Sequence, residues 1–415
     1  MRTRRSLLRT VGGVTVVGLA GCSGGDSTDG GSPTNGSTPT ESSTPTDGST
    51  PGETTEDGDG SAGSPGTWRS LDADAGNTSS NPDASGPERS PTLGTVYEQT
   101  TVENILTAPV VAGETVAFLD ESAIRAVSLS GDQRWQFGWG GDQSPPPTPA
   151  LRDGTVYFPT TDALVAVTDG GGEWSTDLPG QPASSPIVTA DGVYLLTEGE
   201  EYTIVAYDHD GGKRFELPAE EALSAPAVDG STFYHYRERE FDETQVVARS
   251  TADGGVRWTN SDFDSSSAPV AADGTVYCIR PDRYGAVVVA LSSVDGTAEW
   301  VSDVVTDEIV GAPAATGETL YVATTEGVRA FETADGSPAW DEPYAADSSI
   351  TGQPRVDGHS VYMADGDTAV AVDRETGERR WSTSFGTDGD PGVLGVCPVG
   401  DRVYATLQRR VVALE

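Results

Sequence analysis

Lysine occurs once in this chain of 415 residues, at Lys213, methionine twice, and histidine and cysteine three times each. The three histidines, His209, His235 and His359, include no two at metal-ligand spacing, which argues against a zinc centre or a histidine base. Each is expected at the surface or in a turn. The cysteines, Cys22, Cys278 and Cys397, are too few for a disulfide scaffold. Nowhere does the apolar pattern take a helical period, and no apolar run approaches the roughly 20 residues that cross a bilayer. Cations are scarce as well: 25 Lys and Arg face 65 Asp and Glu, a formal charge of -40. An acidic, arginine-over-lysine surface stays hydrated in molar salt, where repulsion is screened to within a few Å. It predicts a halophilic, archaeal host and excludes nucleic acid and anionic lipid head groups as partners.

What the chain has in abundance is repetition. Pro109, Pro149, Pro186, Pro226, Pro269, Pro313 and Pro354 each precede an alternating apolar run. The matching residues of the next run are Ala117, Tyr157, Tyr194, Tyr234, Tyr277, Tyr321, Tyr362 and Tyr404, 37 to 44 positions apart. Every complete unit ends in a large ring: Trp135, Trp174, Phe215, Trp258, Trp300, Trp340 or Trp381. Within a unit Val, Thr, Tyr and Ala alternate with period two, and Asp-Gly or Thr-Gly punctuates every eight to twelve residues, the signature of four short antiparallel strands. One such sheet cannot bury both faces until a neighbour stacks on it, so the expected architecture is an all-β, eight-bladed propeller. The terminal rings are expected to wedge between blades. Asp153-Gly154, Asp191-Gly192, Asp229-Gly230 and Asp273-Gly274 recur at one turn, where glycine supplies positive φ.

The last unit stops at Glu415 with no fourth strand. Thr95-Val96-Tyr97-Glu98, twelve residues before Pro109, supplies it, so that an N-terminal strand completes the C-terminal blade and removes two open sheet edges. Cys278 and Cys397 then lie three blades apart, beyond disulfide reach, and read as buried thiols.

The repeats resemble the PQQ-type propeller pattern, close to Ala-x-Asp-x-x-Thr-Gly-x-x-x-Trp. Ala371, Asp373, Thr376, Gly377 and Trp381 match it completely. The preceding unit has Ala330, Thr333, Asp335-Gly336 and Trp340, with Glu332 for the Asp. The resemblance covers 68–415, including a lead at Trp68-Arg69-Ser70 and Asn77-Thr78. That family includes quinoprotein dehydrogenases and non-enzymatic lipoproteins of the BamB assembly-factor type. Many of the dehydrogenases carry a vicinal Cys-Cys pair and calcium ligands in long inter-blade insertions, and this chain has neither. The expected reading is therefore no catalytic residue, no metal and no cofactor. PQQ and calcium belong only to an alternative as a cell-surface oxidoreductase.

Residues 1–21 resemble a twin-arginine lipoprotein signal: Arg4-Arg5-Ser6-Leu7-Leu8, a short apolar segment, then Leu19-Ala20-Gly21-Cys22. The resemblance implies Tat export, cleavage before Cys22, a lipid on its thiol and a place on the outer face of the cell membrane. Residues 22–67 form an expected disordered tether: positions 23–66 hold no aliphatic residue larger than Ala and cannot bury enough surface to offset chain ordering. Asn35 and Asn77 begin glycosylation sequons. Calcium at Asp72-Ala73-Asp74 or Asp388-Gly389-Asp390 would need a fuller loop pattern than either run has.

The candidate partner surface is the face where the loops between strands two and three and between blades converge. It carries Trp139, Arg237, Arg239, Arg280, Arg283 and Tyr284, a cationic and aromatic spot on an acidic body. Alternatively Glu238, Glu240, Asp242, Glu243 and Asp282 pair with these arginines in a solvated loop. The functional expectation is a monomeric, membrane-anchored extracytoplasmic scaffold for a protein or peptide client, with surface glycan binding as a second alternative.

Overall fold

A computed structural model describes residues 67–98, 104–138, 147–168, 171–218, 225–238, 244–263, 267–385 and 393–415. Cys22, Arg4, Arg5, Asn35, Trp139, Arg239 and Asp388-Gly389-Asp390 lie outside these. Strands and turns account for the described chain, with no helix, and they form eight antiparallel sheets, the blades.

Each blade has strands a to d from the inside outward, as in blade seven: Arg355–Asp357, Ser360–Asp365, Thr368–Asp373 and Arg379–Ser384. Type I′ geometry at the a–b turn is explicit where both residues have positive φ, at Asp153-Gly154 and Asp273-Gly274. In blade six strand d is reduced to Tyr344–Ala345. Pro338 and Pro343 have no N–H for the ladder there, and Trp340 is carried on a bridge between Phe331 and Pro338.

Eight buried apolar clusters divide the core, each spanning one blade junction; one joins Tyr234, Val246 and Trp258 of blade four to Val276, Cys278 and Leu291 of blade five. The ring ending strand d works at this junction. Trp300 lies opposite Ala290, packs at 5.9 Å from Tyr277, and donates its indole N–H to the Thr333 carbonyl of the next blade at 2.7 Å. The turn beneath the ring must be glycine: a Cβ on Gly336 would come within 2.4 Å of Trp300. Trp174, Trp258, Trp340 and Trp381 make the same kind of donation, to His209, Ser293, Arg374 and Pro87. Phe215 has no N–H and instead stacks on Phe233 of blade four at 5.8 Å.

The ring closes as expected. Leu93–Glu98 pairs antiparallel with Arg410–Leu414, bulged at Val96. Because strand d of blade eight comes from the other end of the chain, that blade has no c–d turn to receive Trp381. Pro87 supplies the carbonyl instead, at 2.6 Å.

Cys278 and Cys397 are buried, unbonded thiols, and burial pushes both up, Cys278 to about 12. His235 corrects its expectation. It sits fully buried in strand b of blade four, where Nδ1 donates to the Tyr236 carbonyl and Nε2 accepts from Arg249. Burial lowers its pKa to about 3, so it is neutral at any ordinary pH. His209 occupies a turn and His359 is exposed, as expected.

Candidate functional site

Inside the ring the chain makes one circuit of the central channel before it enters any blade. Thr67 and Trp68 pair with Ala112 and Val111 of blade one. The inner strands of blades two, four, five, six and seven then donate N–H groups to the circuit. Leu151 bonds the Arg69 carbonyl, Val228 that of Ala75, Ala271 that of Gly76, Ala315 that of Thr78, and Val356 that of Ser79, at 2.6 to 2.9 Å. Asn81 closes the loop, its amide donating to Thr67 at 3.0 Å and to Pro398 of blade eight at 3.1 Å. Inner strands would otherwise leave these donors unpaired around a channel, and buried backbone groups are nearly always paired.

The circuit is backbone-strained, and that strain marks how firmly its surroundings hold it. Ala73, Asn77 and Ser79 have φ of 69°, 59° and 53°, a left-handed region that costs a residue with a Cβ roughly 1–2 kcal/mol. Asn77 accepts that conformation because its side chain is fully used: the amide donates to Pro226 at 3.0 Å and Pro269 at 3.2 Å. At 3 % exposure its nitrogen has no room for a glycan, so the sequon at Asn77 is closed in the folded chain.

Charge is buried beside it. Asp72 pairs with Arg355 of blade seven at 3.1 Å. Gln353 donates to the same carboxyl and, at 3.0 Å, to Ser79. The Arg355 guanidinium lies 5.4 Å from the Trp68 ring centre. Burial pushes the Asp72 carboxyl above the usual range and Arg355 pulls it back; burial lowers Arg355 in turn. Asp72 is thus committed to arginine rather than poised for calcium. Among the described residues no group of acidic, histidine or cysteine side chains is placed to hold a metal.

Above this floor, on the face of the b–c and d–a loops, opens a funnel of about 610 Å³. Its walls are blades two and three, with Thr160, Thr161, Gln181, Ser184, Ser185 and Glu198, and with Pro147, Pro159, Pro182 and Pro186. Ser70, Leu71, Asp72 and Asn77 line its base. Among its described lining there is no Lys, Arg or His. At the opposite mouth a cleft of about 100 Å³ contains Asp74, Asp229 and Asp273. Burial raises the Asp74 carboxyl to about 6, against two hydrogen bonds from Thr78.

Of the expected partner spot, Arg237, Arg280, Arg283 and Tyr284 fall among the described residues. Arg283 stacks on Tyr284, 5.5 Å from the ring centre, at the tip of the long hairpin Thr275–Asp282 and Gly285–Ser292. Tyr284 is 70 % exposed. Arg280 is set back in the same hairpin, opposite Val287. Arg237 is held in blade four by Gln245, whose side-chain oxygen accepts from its Nε at 2.7 Å. Sequence reasoning missed the channel circuit. The only signal was the pair of asparagines, Asn77 and Asn81, in a lead without apolar periodicity.

The sequence matches the family described as outer membrane protein assembly factor BamB over residues 120–235 and 214–415. No curated protein matches it. Among solved structures, BamB from Moraxella catarrhalis is 17 % identical with a TM-score of 0.57, covering 78 % of this chain and 97 % of that one. The quinohemoprotein alcohol dehydrogenase ADHIIG from Pseudomonas putida HK5 is 13 % identical with a TM-score of 0.65, covering 85 % and 80 %. A europium-containing methanol dehydrogenase is 14 % identical with a TM-score of 0.60, covering 82 % and 89 %. At these identities the likeness is one of fold.

Proposed function

The chain belongs to the family described as outer membrane protein assembly factor BamB, and from that premise we propose that it is a non-catalytic scaffold binding a protein client on its b–c and d–a loop face. The observation that carries this reading is the channel circuit, which lines the propeller axis with the chain's own backbone. What remains above it is an acidic and hydroxyl-lined funnel bordered by prolines, and on the same loop face, in blade five, the Arg283 and Tyr284 tip. A rigid aromatic carrying a stacked guanidinium is the kind of anchor that dominates protein interfaces. With the lipidation expected at Cys22, the propeller would work outside the cell on a membrane anchor, in a halophilic host.

The oxidoreductase reading, which two of the structural neighbours bring to mind, meets a poor donor set. Pyrroloquinoline quinone is a polycarboxylate, and the described funnel lining offers it Asp72 and Glu198 with no free cation. Calcium would have to compete with Arg355 for Asp72. Glycan binding has less support, because no aromatic ring lines the funnel among its described residues.

The test is crosslinking and co-purification of the full chain from native membranes in molar salt. A recurrent protein partner is expected, recovered at least tenfold less with Arg283→Glu and Tyr284→Ser together. Repeated recovery of the propeller alone would overturn the proposal. So would dye-linked alcohol or sugar oxidation after adding the quinone and calcium.

A further inference from the structure

We propose that the funnel between blades two and three takes the guanidinium of an arginine side chain presented by the protein client, with Thr148 and Glu198 as the groups that recognise it. The inference rests on the client-binding reading of that face and adds the chemistry of what enters. Several hydroxyls of the lining are already used: Ser70 donates to the Asp74 carbonyl at 3.2 Å, Thr160 to Ala163 at 3.1 Å and Ser184 to Ser185 at 3.1 Å. Thr148 is not. It lines the funnel at 7 % exposure, yet its hydroxyl has no hydrogen-bond partner among the described residues. A polar group buried to that degree is nearly always paired. Pro147 and Pro149 on either side restrict its backbone, so the unused hydroxyl is held in place.

On the other wall, Gln181–Pro182 adds a short strand beside Val193–Glu198, and Gln181 lies directly opposite Glu198. Side chains so placed on an antiparallel pair leave the same face of the sheet. Both line the funnel and both are exposed, and neither side chain is bonded to another described residue. The other carboxylate of the lining, Asp72, is taken up by Arg355. Glu198 therefore carries the charge recognition.

In molar salt, charges are screened beyond about 3 Å, so a cation is recognised here only in contact. A guanidinium is more weakly hydrated than an ammonium and offers five donors in one plane, which suits a lining of acceptors without a cation of its own. Its methylene stem can lie along the prolines of the wall, Pro147, Pro159, Pro182 and Pro186. At about 610 Å³ the funnel falls within the roughly 300–1,000 Å³ of pockets that enclose small ligands.

The probe is acetyl-Gly-Arg-Gly-amide, titrated into the full chain in molar potassium chloride and followed by calorimetry, beside the corresponding citrulline and lysine peptides. Citrulline keeps the shape and loses the charge. The arginine peptide is expected to bind at least tenfold more tightly than either. Glu198→Gln should bring it down to the citrulline level, and Thr148→Val, which keeps the shape and removes the hydroxyl, should weaken it at least threefold. Glu198 is exposed, so its variant keeps the test readable if Thr148→Val does not fold. Glu201→Gln, on the same hairpin but outside the lining, should change nothing. No arginine binding at millimolar peptide, equal binding of the citrulline or lysine peptide, or a preference that survives Glu198→Gln overturns the proposal. The client reading fails separately. Arginine binding with no client recovered from membranes would sink the scaffold and keep the guanidinium site, whereas a client recovered undiminished with Glu198→Gln would keep the scaffold and sink the site.

Discussion

Blades five and six meet through Trp300; blades eight and one meet through Tyr97, packed on Phe118, and the bulged backbone at Val96. The two junctions bury similar strands, yet they are held by different means. At Trp300 the contact is a side chain between complete blades, one indole across a glycine turn and one N–H to Thr333. At the seam the joining is done within blade eight, by the ladder from Leu93 to Glu98 along Leu414 to Arg410. Every junction is wedged but only one is closed by strand exchange, and there the exchanged strand sets Tyr97 against Phe118 of blade one, 5.0 Å between ring centres, in place of a strand-d ring opposite the alanine. What holds the seam besides that ladder is the channel circuit just before it in sequence, with Asn81 bonded to both Thr67 and Pro398.

The largest effect should come from removing a wedge. Trp300→Ala leaves the Gly336 turn over a cavity at the blade five–six junction, and loss of a buried tryptophan typically costs about 3–5 kcal/mol. Denaturant unfolding in molar salt measures it. If Trp300→Ala costs less than about 1 kcal/mol, the wedges are not what distinguishes these junctions from the seam.

How far the sequence foretold this contrast depends on whether a feature repeats. The rings, the Asp-Gly turns and the strand at Val96 were legible because each is one instance of a pattern with period near 40, and the seam strand was found by the gap it fills. The circuit through Trp68, Asn77 and Asn81 was not, because its hydrogen bonds reach residues up to 317 positions away and nothing in its own sequence alternates. Asn77 read as a sequon for the same reason: the triplet is local, while the carbonyls that use its amide belong to blades four and five. His235 escaped because its partner Arg249 lies on the neighbouring strand, and the pairing of Arg237 with Gln245 is tertiary in the same way.

A smaller, pH-dependent effect separates the circuit from the blades. Asp74 titrates near 6 in the folded chain against an ordinary value of 3.8, raised by burial. A folded value above the unfolded one means that the folded state holds the proton more tightly. The stabilisation is therefore complete below about pH 4 and is lost as pH rises through 6. Since Asp74 is partly open to the lower cleft, the change should be about 1–2 kcal/mol, less than full linkage would give. Asp74→Asn should flatten the stability profile between pH 4 and 6, while Asp373→Asn, in a blade turn, should leave the decline in place. An unchanged decline in Asp74→Asn would show that Asp74 does not carry it.

The finest test compares two indole N–H groups. Trp300 donates to a carbonyl of its neighbouring blade, whereas Trp381 donates to Pro87, a residue reached only because the N-terminal segment has already circled the channel. Phenylalanine keeps most of the ring and removes the donor, a change worth about 0.5–1.5 kcal/mol for a typical hydrogen bond. Trp300→Phe should cost that amount and affect only its own junction. Trp381→Phe should cost as much and also loosen the segment at Pro87, visible as faster hydrogen exchange at Ser85 and Gly86, whose N–H groups bond Gly400 and Asp357. If exchange there is unchanged in Trp381→Phe, the segment is fixed by the circuit alone and the last tryptophan only rests on it.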